Sequence, residues 1–176
     1  KEIQENHQVI YVGISNHPET NASISIDKNV ILYDIGKDFD YSKVSDKSPL
    51  VINQTTLNYA ELEKIHALIK TNIPKARFQN EICNSTRMRQ AQINDLEDDV
   101  DLIIVVGDTA SSNTNRLLEI ARTSHPNSES YLINNVGQLN KENIVNKKHI
   151  VISSGASTPS ETINMIYAYI VNSFAK

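Results

Sequence analysis

The sequence is short of several residue types, and each shortage excludes a class of protein. It contains one cysteine, Cys83, in 176 residues, so an internal disulfide framework is excluded. No apolar run approaches the length of about 18 residues that a transmembrane helix needs, and the start shows no secretory pattern. We therefore expect a cytoplasmic protein with no membrane partner.

An excess of charge of one sign is also missing. Lysine and arginine together number 17, aspartate and glutamate number 21, and the net charge is −4 at pH 7. Without a bulk basic field, neither a nucleic-acid partner nor an anionic membrane is expected. Hydrophobic residues make up 39% and charged residues 22%, as in an ordinary globular protein, and the length suffices for one large or two small domains.

Short runs rich in Val, Ile, Leu and Tyr alternate with amphipathic segments along the chain. The predicted strands are 8–14, 29–35, 49–54, 75–78, 101–107, 130–134 and 149–155, and the predicted helices are 58–72, 85–96, 113–122 and 158–174. Such alternation predicts an α/β fold with mainly parallel sheets covered on both faces. We place a boundary at Pro74 and predict two αβα lobes, residues 1–74 and 75–176.

Two of the predicted helices have well-marked starts. Asn58 is a plausible N-cap, and Glu61 completes a capping box with it. The last helix is predicted to start with Thr158 as N-cap, Pro159 at the first helical position and Glu161 at the third. These signals fix where the two helices are expected to begin.

Polar residues follow most of the predicted strands, at the sheet edge where parallel sheets bind their ligands. They are His17, Glu19, Gln54, Thr55, Thr56, Cys83, Ser111, Ser112, Asn113, Gly155, Ser157 and Thr158. The serine-rich strand-to-helix turns could hold an anion through free backbone N–H groups, or they could simply cap their helices. His17 and Glu19 could hold a phosphate and move a proton, or they could form a surface turn around Pro18.

Cys83 has three interpretations. A lone cysteine is most often a small buried hydrophobe. Cys83 and Arg89 also satisfy C-x5-R, the pattern of phosphatases with a cysteine nucleophile, although Gln90 and a loop without glycine depart from that pattern. The third interpretation is an iron–sulfur ligand, which needs more thiolates than this chain contains.

Several motifs occur in an order that resembles one family. HPE at 17–19, QTTL at 54–57, ICNST with RQ at 82–90, VVGDTASSNTNRL at 105–117 and SSGASTP at 153–159 resemble the 4-hydroxy-3-methylbut-2-enyl diphosphate reductases, the LytB family. The resemblance covers essentially the whole chain. It implies a three-lobed, pseudo-threefold enzyme with a [4Fe–4S] cluster in a central cavity, of which this chain supplies the second and third lobes. The first lobe, with two further cysteine ligands, would lie upstream of Lys1.

The resemblance also implies a role for individual residues. Cys83 matches the third cluster ligand, Glu19 the carboxylate that delivers protons, and Thr55 the threonine that touches the substrate hydroxyl. The residues that match the diphosphate-binding positions are His17, Ser111, Ser112, Asn113 and Ser157. Two positions depart from the family, since Asn16 and Ala22 stand where glycines are usual.

The implied reaction is the reductive dehydroxylation of 4-hydroxy-3-methylbut-2-enyl diphosphate to isopentenyl and dimethylallyl diphosphate, in the methylerythritol phosphate pathway. The implied electron donor is ferredoxin or flavodoxin. Because one thiolate cannot replace three, we expect the isolated chain to lack both the cluster and the reductase activity. Two other hypotheses stay open: a phosphatase using Cys83 as nucleophile, and a non-catalytic anion-binding module.

Overall fold

The computed structural model describes residues 2–5, 7–79 and 81–174. The chain divides into two compact units, Lys1–Cys83 and Asn84–Lys176. Each unit is an α/β layer structure with its own parallel sheet. Within the described residues, no helix combines the length and the apolar character needed to cross a bilayer.

The first unit contains four parallel strands in the spatial order β2-β1-β3-β4. Its elements are β1 (Val9–Gly13), α1 (Pro18–Ile24), β2 (Val30–Asp34), β3 (Leu50–Asn53), α2 (Tyr59–Asn72) and β4 (Arg77–Phe78). In the register, Val9 of β1 lies between Val30 and Leu50. All five residues of β1 are buried, as expected for a central strand covered on both faces.

The two faces of the first sheet are covered by different helices. Ile10 and Val12 belong to the hydrophobic core that includes Leu62 and Ile69 of α2. The alternate residues, Tyr11 and Gly13, face α1, and a side chain at Gly13 would come within 2.6 Å of Thr20 Oγ1. Since successive side chains of a strand point to opposite faces, this unit has the predicted αβα layering.

The second unit contains three parallel strands in the order β6-β5-β7. Its elements are α3 (Asn84–Asn94), β5 (Leu102–Val106), α4 (Ser112–Ser124), β6 (Glu129–Ile133), β7 (Ile150–Ser154) and α5 (Ser160–Phe174). On one face of β5, Ile103 and Val105 pack with residues of α3 and α4. On the other face, Leu102 and Ile104 pack with Ile166 of α5, so this unit is also an αβα layer structure.

The predicted α/β class with parallel sheets is confirmed, and the differences are local. The boundary between compact units follows Cys83 rather than Pro74, because β4 pairs with β3 through Leu50 and Arg77 and so joins the first sheet. The segment after His17, for which a surface turn around Pro18 was one of two hypotheses, is helix α1.

The two predicted helix starts have different outcomes. The Asn58 side chain accepts from the backbone N–H groups of Ala60 and Glu61, as its predicted N-cap role requires. Thr158 was predicted to cap the last helix, but α5 begins at Ser160. The Thr158 hydroxyl instead donates to the Val106 carbonyl at 3.0 Å, which ties the turn to the central strand of the sheet.

Candidate functional site

His17 starts helix α1 and is fixed by it. Its Nδ1 accepts a hydrogen bond from the backbone N–H of Glu19 at 3.2 Å, and Pro18 occupies the first helical position. An Nδ1 that accepts carries no proton, so the proton of the neutral ring lies on Nε2. The hydrogen bond from Glu19 N therefore fixes the orientation of the imidazole ring at the start of α1.

The loop before His17 has an unusual backbone that its sequence can accommodate. Asn16 has φ = 66°, and asparagine is one of the few residues that tolerate this left-handed region. Asn16 can therefore adopt the left-handed backbone of this turn, although it stands where the resembled family usually has glycine. The loop is also held by Asp34, whose Oδ1 accepts from Ser15 N at 2.9 Å. The hydrogen bond from Lys37 holds the pKa of Asp34 below its usual value.

Glu19 and Thr55 meet at the carboxyl end of the first sheet. Thr55 N donates to Glu19 Oε1 at 2.9 Å, and Thr55 Oγ1 donates to Glu19 Oε2 at 3.0 Å. Both carboxylate oxygens are thus engaged by one residue, although Thr55 is exposed. The two residues predicted to handle protons form one hydrogen-bonded pair that solvent or a substrate can reach.

Gln54 ties together the pieces of chain that carry this pair. It is 1% exposed, and its Oε1 accepts from Ile14 N at 3.1 Å and from Thr20 Oγ1 at 3.2 Å. Its Nε2 donates to Thr56 Oγ1 at 3.0 Å. In the sequence, Gln54 stands at the end of the predicted strand 49–54, and no role was predicted for it. The polar run QTT at 54–56 was the feature of the sequence that could have indicated a role for Gln54. The hydrogen-bond partners of its side-chain amide are visible only in the folded structure.

Tyr11 is a second residue near the site for which the sequence predicted no role. It is 2% exposed, and its hydroxyl has no hydrogen-bond partner among the described residues. Burial is the main cause that raises the pKa of Tyr11, and the negative charge of Glu19 raises it further. The phenol therefore stays neutral beneath α1 and cannot compete with Glu19 as an anion.

Cys83 is exposed and lies directly before α3 in the sequence. The interpretation of this cysteine as a buried hydrophobe is therefore wrong. Ile82 takes the buried position instead, at 7% exposure. Residues 84–88, which would have to wrap around a phosphate in a C-x5-R phosphatase, lie in the first turns of α3. A helix does not turn its N–H groups inward around a phosphate, so this geometry does not fit the phosphatase hypothesis.

The serine-rich turn of the second unit forms the start of α4. Ser111 is the N-cap, and its hydroxyl accepts from Thr114 N at 3.4 Å. Ser112 is the first helical residue, and Asn113 follows it. The buried Asn113 Oδ1 has no hydrogen-bond partner among the described residues. Ser111 therefore caps α4, as one interpretation of this turn held, while Asn113 Oδ1 keeps an unused acceptor position.

Ser157 lines a cavity of about 540 Å³ at the carboxyl end of the second sheet. The lining residues are Gly107, Asp108, Asn134, Ser157, Thr158, Pro159 and Thr162. The glycine at the end of β5 is needed here, since Gly107 has φ = 156° and a side chain on it would lie 2.9 Å from Thr114 Oγ1. The cavity is polar, and Asp108 is the one charged residue in its lining.

The described residues contain no group of three or more His, Cys, Asp or Glu side chains placed to hold a metal ion. Cys83 is the single thiol of the chain. Its exposure and its place before a helix suit a thiolate that binds metal, because positive potential at a helix N-terminus favours the ionised form. The chain can therefore offer one cluster ligand, but not a complete set.

Comparison with protein families gives a match over nearly the whole chain. The family model described as LytB protein matches residues 1–171. The chain belongs to the LytB family. The membership agrees with the resemblance that the motifs of the sequence indicated.

Individual LytB relatives are identical to this chain at about a third of the aligned positions. The 4-hydroxy-3-methylbut-2-enyl diphosphate reductase of Malacoplasma penetrans is 36% identical over 171 residues, which cover 97% of this chain and 56% of that protein. The reductase of the same name from Bacillus cereus is 30% identical over 167 residues, covering 94% of this chain and 52% of the relative. The chain thus spans about half the length of these LytB proteins.

Solved LytB structures agree with the fold. The structure of E-1-hydroxy-2-methyl-but-2-enyl-4-diphosphate reductase from Plasmodium falciparum superposes with a TM-score of 0.79 at 25% identity, covering 96% of this chain and 54% of that one. A second structure, of (E)-4-hydroxy-3-methyl-but-2-enyl diphosphate reductase, gives a TM-score of 0.53 at 27% identity, covering 97% and 61%. The two parallel sheets are therefore a part of the LytB architecture.

Proposed function

We propose that this chain forms the second and third lobes of an iron–sulfur 4-hydroxy-3-methylbut-2-enyl diphosphate reductase, with the first lobe outside residues 1–176. The reaction takes two electrons and two protons, releases the substrate hydroxyl as water, and yields isopentenyl or dimethylallyl diphosphate. The observation that carries the proposal is the pair formed by Glu19 and Thr55 in a chain of the LytB family. The setting proposed for the enzyme is the cytoplasm, with ferredoxin or flavodoxin as electron donor.

The Glu19–Thr55 pair is arranged to move a proton. A hydroxyl can donate one proton while it accepts another, and Thr55 Oγ1 lies 3.0 Å from Glu19 Oε2. When Glu19 is protonated, Thr55 can pass its own proton to the leaving hydroxyl of the substrate and take the proton of Glu19 in return. The bond from Thr55 N to Glu19 Oε1 keeps the carboxyl group in place during this transfer.

The proposed diphosphate ligands are short polar side chains at helix starts. His17 is the proposed ligand in the first unit, where the hydrogen bond from Glu19 N orients its ring. Ser111, Ser112, Asn113 and Ser157 offer hydroxyl, amide and backbone donors in the second unit. Asn113 can donate to a diphosphate oxygen only through its Nδ2, since its Oδ1 is an acceptor.

Cys83 is the proposed cluster ligand of this chain. Its exposed thiol fits one position of a [4Fe–4S] cluster, and the remaining thiolates must come from outside residues 1–176. When bound, the cluster supplies the electrons of the reduction. The contribution of this chain is then to bind the diphosphate, orient the substrate hydroxyl and supply the proton.

The test is a measurement of iron and acid-labile sulfide in the complete gene product, purified without oxygen, beside its Cys83→Ser variant. We expect about four irons per chain in the wild type and a depleted or unstable cluster in the variant. Iron contents that are equal in both proteins would remove Cys83 from the ligand set. No iron in either, together with retained diphosphate binding and no turnover, would instead support the non-catalytic anion-binding module.

A further inference from the structure

The last helix, α5, exposes an apolar face. Tyr167 is 61% exposed, Val171 46% and Phe174 45%. Their spacing of four and three residues places them on one side of the helix, which we call the Tyr167 face. The buried residues Ile166 and Ile170 point into the core of the second unit. The Tyr167 face therefore lies on a different side of α5 from these two residues.

The composition of α5 is unusual for a helix in contact with water. From residue 162 to residue 174 the sequence contains no Asp, Glu, Lys or Arg. A helix that is apolar on more than its core face is normally buried by a second surface. Packing within the second unit accounts for Ile166 and Ile170, but it leaves the large side chains of the Tyr167 face exposed.

The LytB relatives contain polypeptide that this chain lacks. The family match reaches residue 171, so α5 belongs to the LytB architecture rather than to an appended tail. This chain covers 56% of the Malacoplasma penetrans protein and 54% of the Plasmodium falciparum structure, so close to half of each lies outside the match. That remainder is large enough to bury a helix face. A lipid surface suits the face less well, because α5 has no lysine or arginine for anionic headgroups.

We propose that the Tyr167 face is the docking surface for the remaining LytB segment, the polypeptide that corresponds to the part of the relatives outside the match. This inference rests on the proposed function only in its assumption that such a segment completes the molecule. The proposed interface resembles that of an obligate complex, because the side chains at its centre are apolar. Residues 162–174 of α5 contribute no charged side chain to it.

The experiment mixes the 176-residue chain with the complementary LytB segment encoded by the same genome and measures their affinity by calorimetry. The variants Tyr167→Glu and Val171→Glu place a charge in the proposed interface and are expected to weaken binding at least about tenfold. Asn172→Glu is the matched control, because it adds the same charge at an exposed position on another side of α5. Tyr167→Gln, without a charge, is expected to weaken binding to a smaller degree.

Several outcomes would overturn the proposal. They are no binding by the wild-type chain, binding that is unchanged in Tyr167→Glu and Val171→Glu, or an equal loss in Asn172→Glu. A wild-type chain that sediments as a dimer, dissociated by Tyr167→Glu, would assign the face to a second copy. Circular dichroism of each variant shows whether α5 stays folded. The iron measurement on Cys83 tests the proposed function separately, so either idea can fail while the other stands.

Discussion

Glu19 and Thr55 are separated by 36 residues in the sequence and joined by two hydrogen bonds in the structure. Glu19 reaches this position because His17 and Pro18 start helix α1 immediately before it. Thr55 reaches it because β3 ends at Asn53 beside the end of β1. At the scale of single residues, the candidate proton path is thus built by a helix start and a strand end that meet at one sheet edge.

The variant Glu19→Gln in the complete enzyme is expected to lose turnover by at least about a hundredfold, because the amide has no acidic proton to deliver. Substrate binding should stay close to wild type, since glutamine keeps the size of the side chain and can accept one bond from Thr55. The measurements are anaerobic steady-state kinetics and substrate affinity by calorimetry. Turnover equal to that of the wild type would remove Glu19 from the proton path.

Gln54 gives a prediction on stability that needs neither cluster nor substrate. Gln54→Leu leaves Ile14 N, Thr20 Oγ1 and Thr56 Oγ1 without their partner at the site. Thr20 is buried and the other two groups are partly buried. Because an unsatisfied buried group costs about 1–3 kcal/mol, we expect the free energy of unfolding of the chain to fall by roughly 2 kcal/mol. Urea unfolding followed by circular dichroism measures it.

The control for Gln54→Leu is Gln92→Leu, at an exposed position of α3, which should change the stability little. Hydrogen exchange of the Thr55 amide adds a readout of the site. If Gln54 holds the Glu19–Thr55 pair together, exchange at Thr55 accelerates in Gln54→Leu and not in Gln92→Leu. A stability loss no larger than that of the control would show that the Gln54 hydrogen bonds contribute nothing net.

At the scale of elements, α1 is the one α-helix of the described residues that the sequence did not predict. It has seven residues and only one buried side chain, Thr20, so it lacks the apolar periodicity by which α2 and α4 were predicted. Its formation depends on tertiary partners: the Thr20 hydroxyl bonds to Gln54, and Gly13 leaves room for Thr20 against β1. Local propensity alone does not specify so short a helix in water.

Helix α2 supplies a pH-dependent contribution to stability through His66. Its Nε2 is buried without a partner among the described residues, and its ring packs 4.9 Å from that of Phe78. Burial lowers the pKa of His66 below its ordinary value. As the pH falls, the unfolded chain takes up this proton before the folded chain, so the contribution is full above the ordinary pKa of about 6.5 and is lost below it.

We therefore expect the free energy of unfolding to decrease between pH 7.5 and pH 5, and the variant His66→Leu to show a smaller decrease than the wild type. Thermal unfolding at several pH values measures both. The comparison is the difference between the two pH profiles, since carboxylates and other histidines contribute equally to each protein. Parallel profiles for wild type and variant would show that His66 does not titrate with folding.

At the scale of the whole molecule, the chain is two αβα units that together account for about half of a LytB protein. Each unit has its own sheet and core, but the chain contains a single thiol. The cluster that the family resemblance implies therefore depends on polypeptide outside residues 1–176. The same dependence motivates the docking surface proposed on α5.

The isolated 176-residue chain, reconstituted with iron and sulfide under anaerobic conditions, is expected to hold far less than one cluster per chain, because one thiolate is too few. Iron analysis and the visible absorption of the cluster measure this. The Cys83→Ser variant serves as the background control. A stoichiometric cluster in the wild-type chain, absent from the variant, would contradict the expectation.

The sequence by itself determined the layered α/β class, most element positions and the family. Apolar runs such as 101–107 and periodic segments such as 58–72 are local patterns, and each becomes the predicted strand or helix. The motifs likewise carry their identity in consecutive residues, which is why the LytB membership followed from them.

The tertiary structure decided what depends on residues far apart in the chain. It paired β4 with the first sheet, joined Glu19 to Thr55, gave Gln54 its hydrogen-bond partners and left Cys83 exposed. Each of these results depends on the order of the strands in the sheet and on which side chains remain exposed to solvent after packing. Both are set by burial and hydrogen bonding summed over the whole unit, which no short stretch of sequence contains.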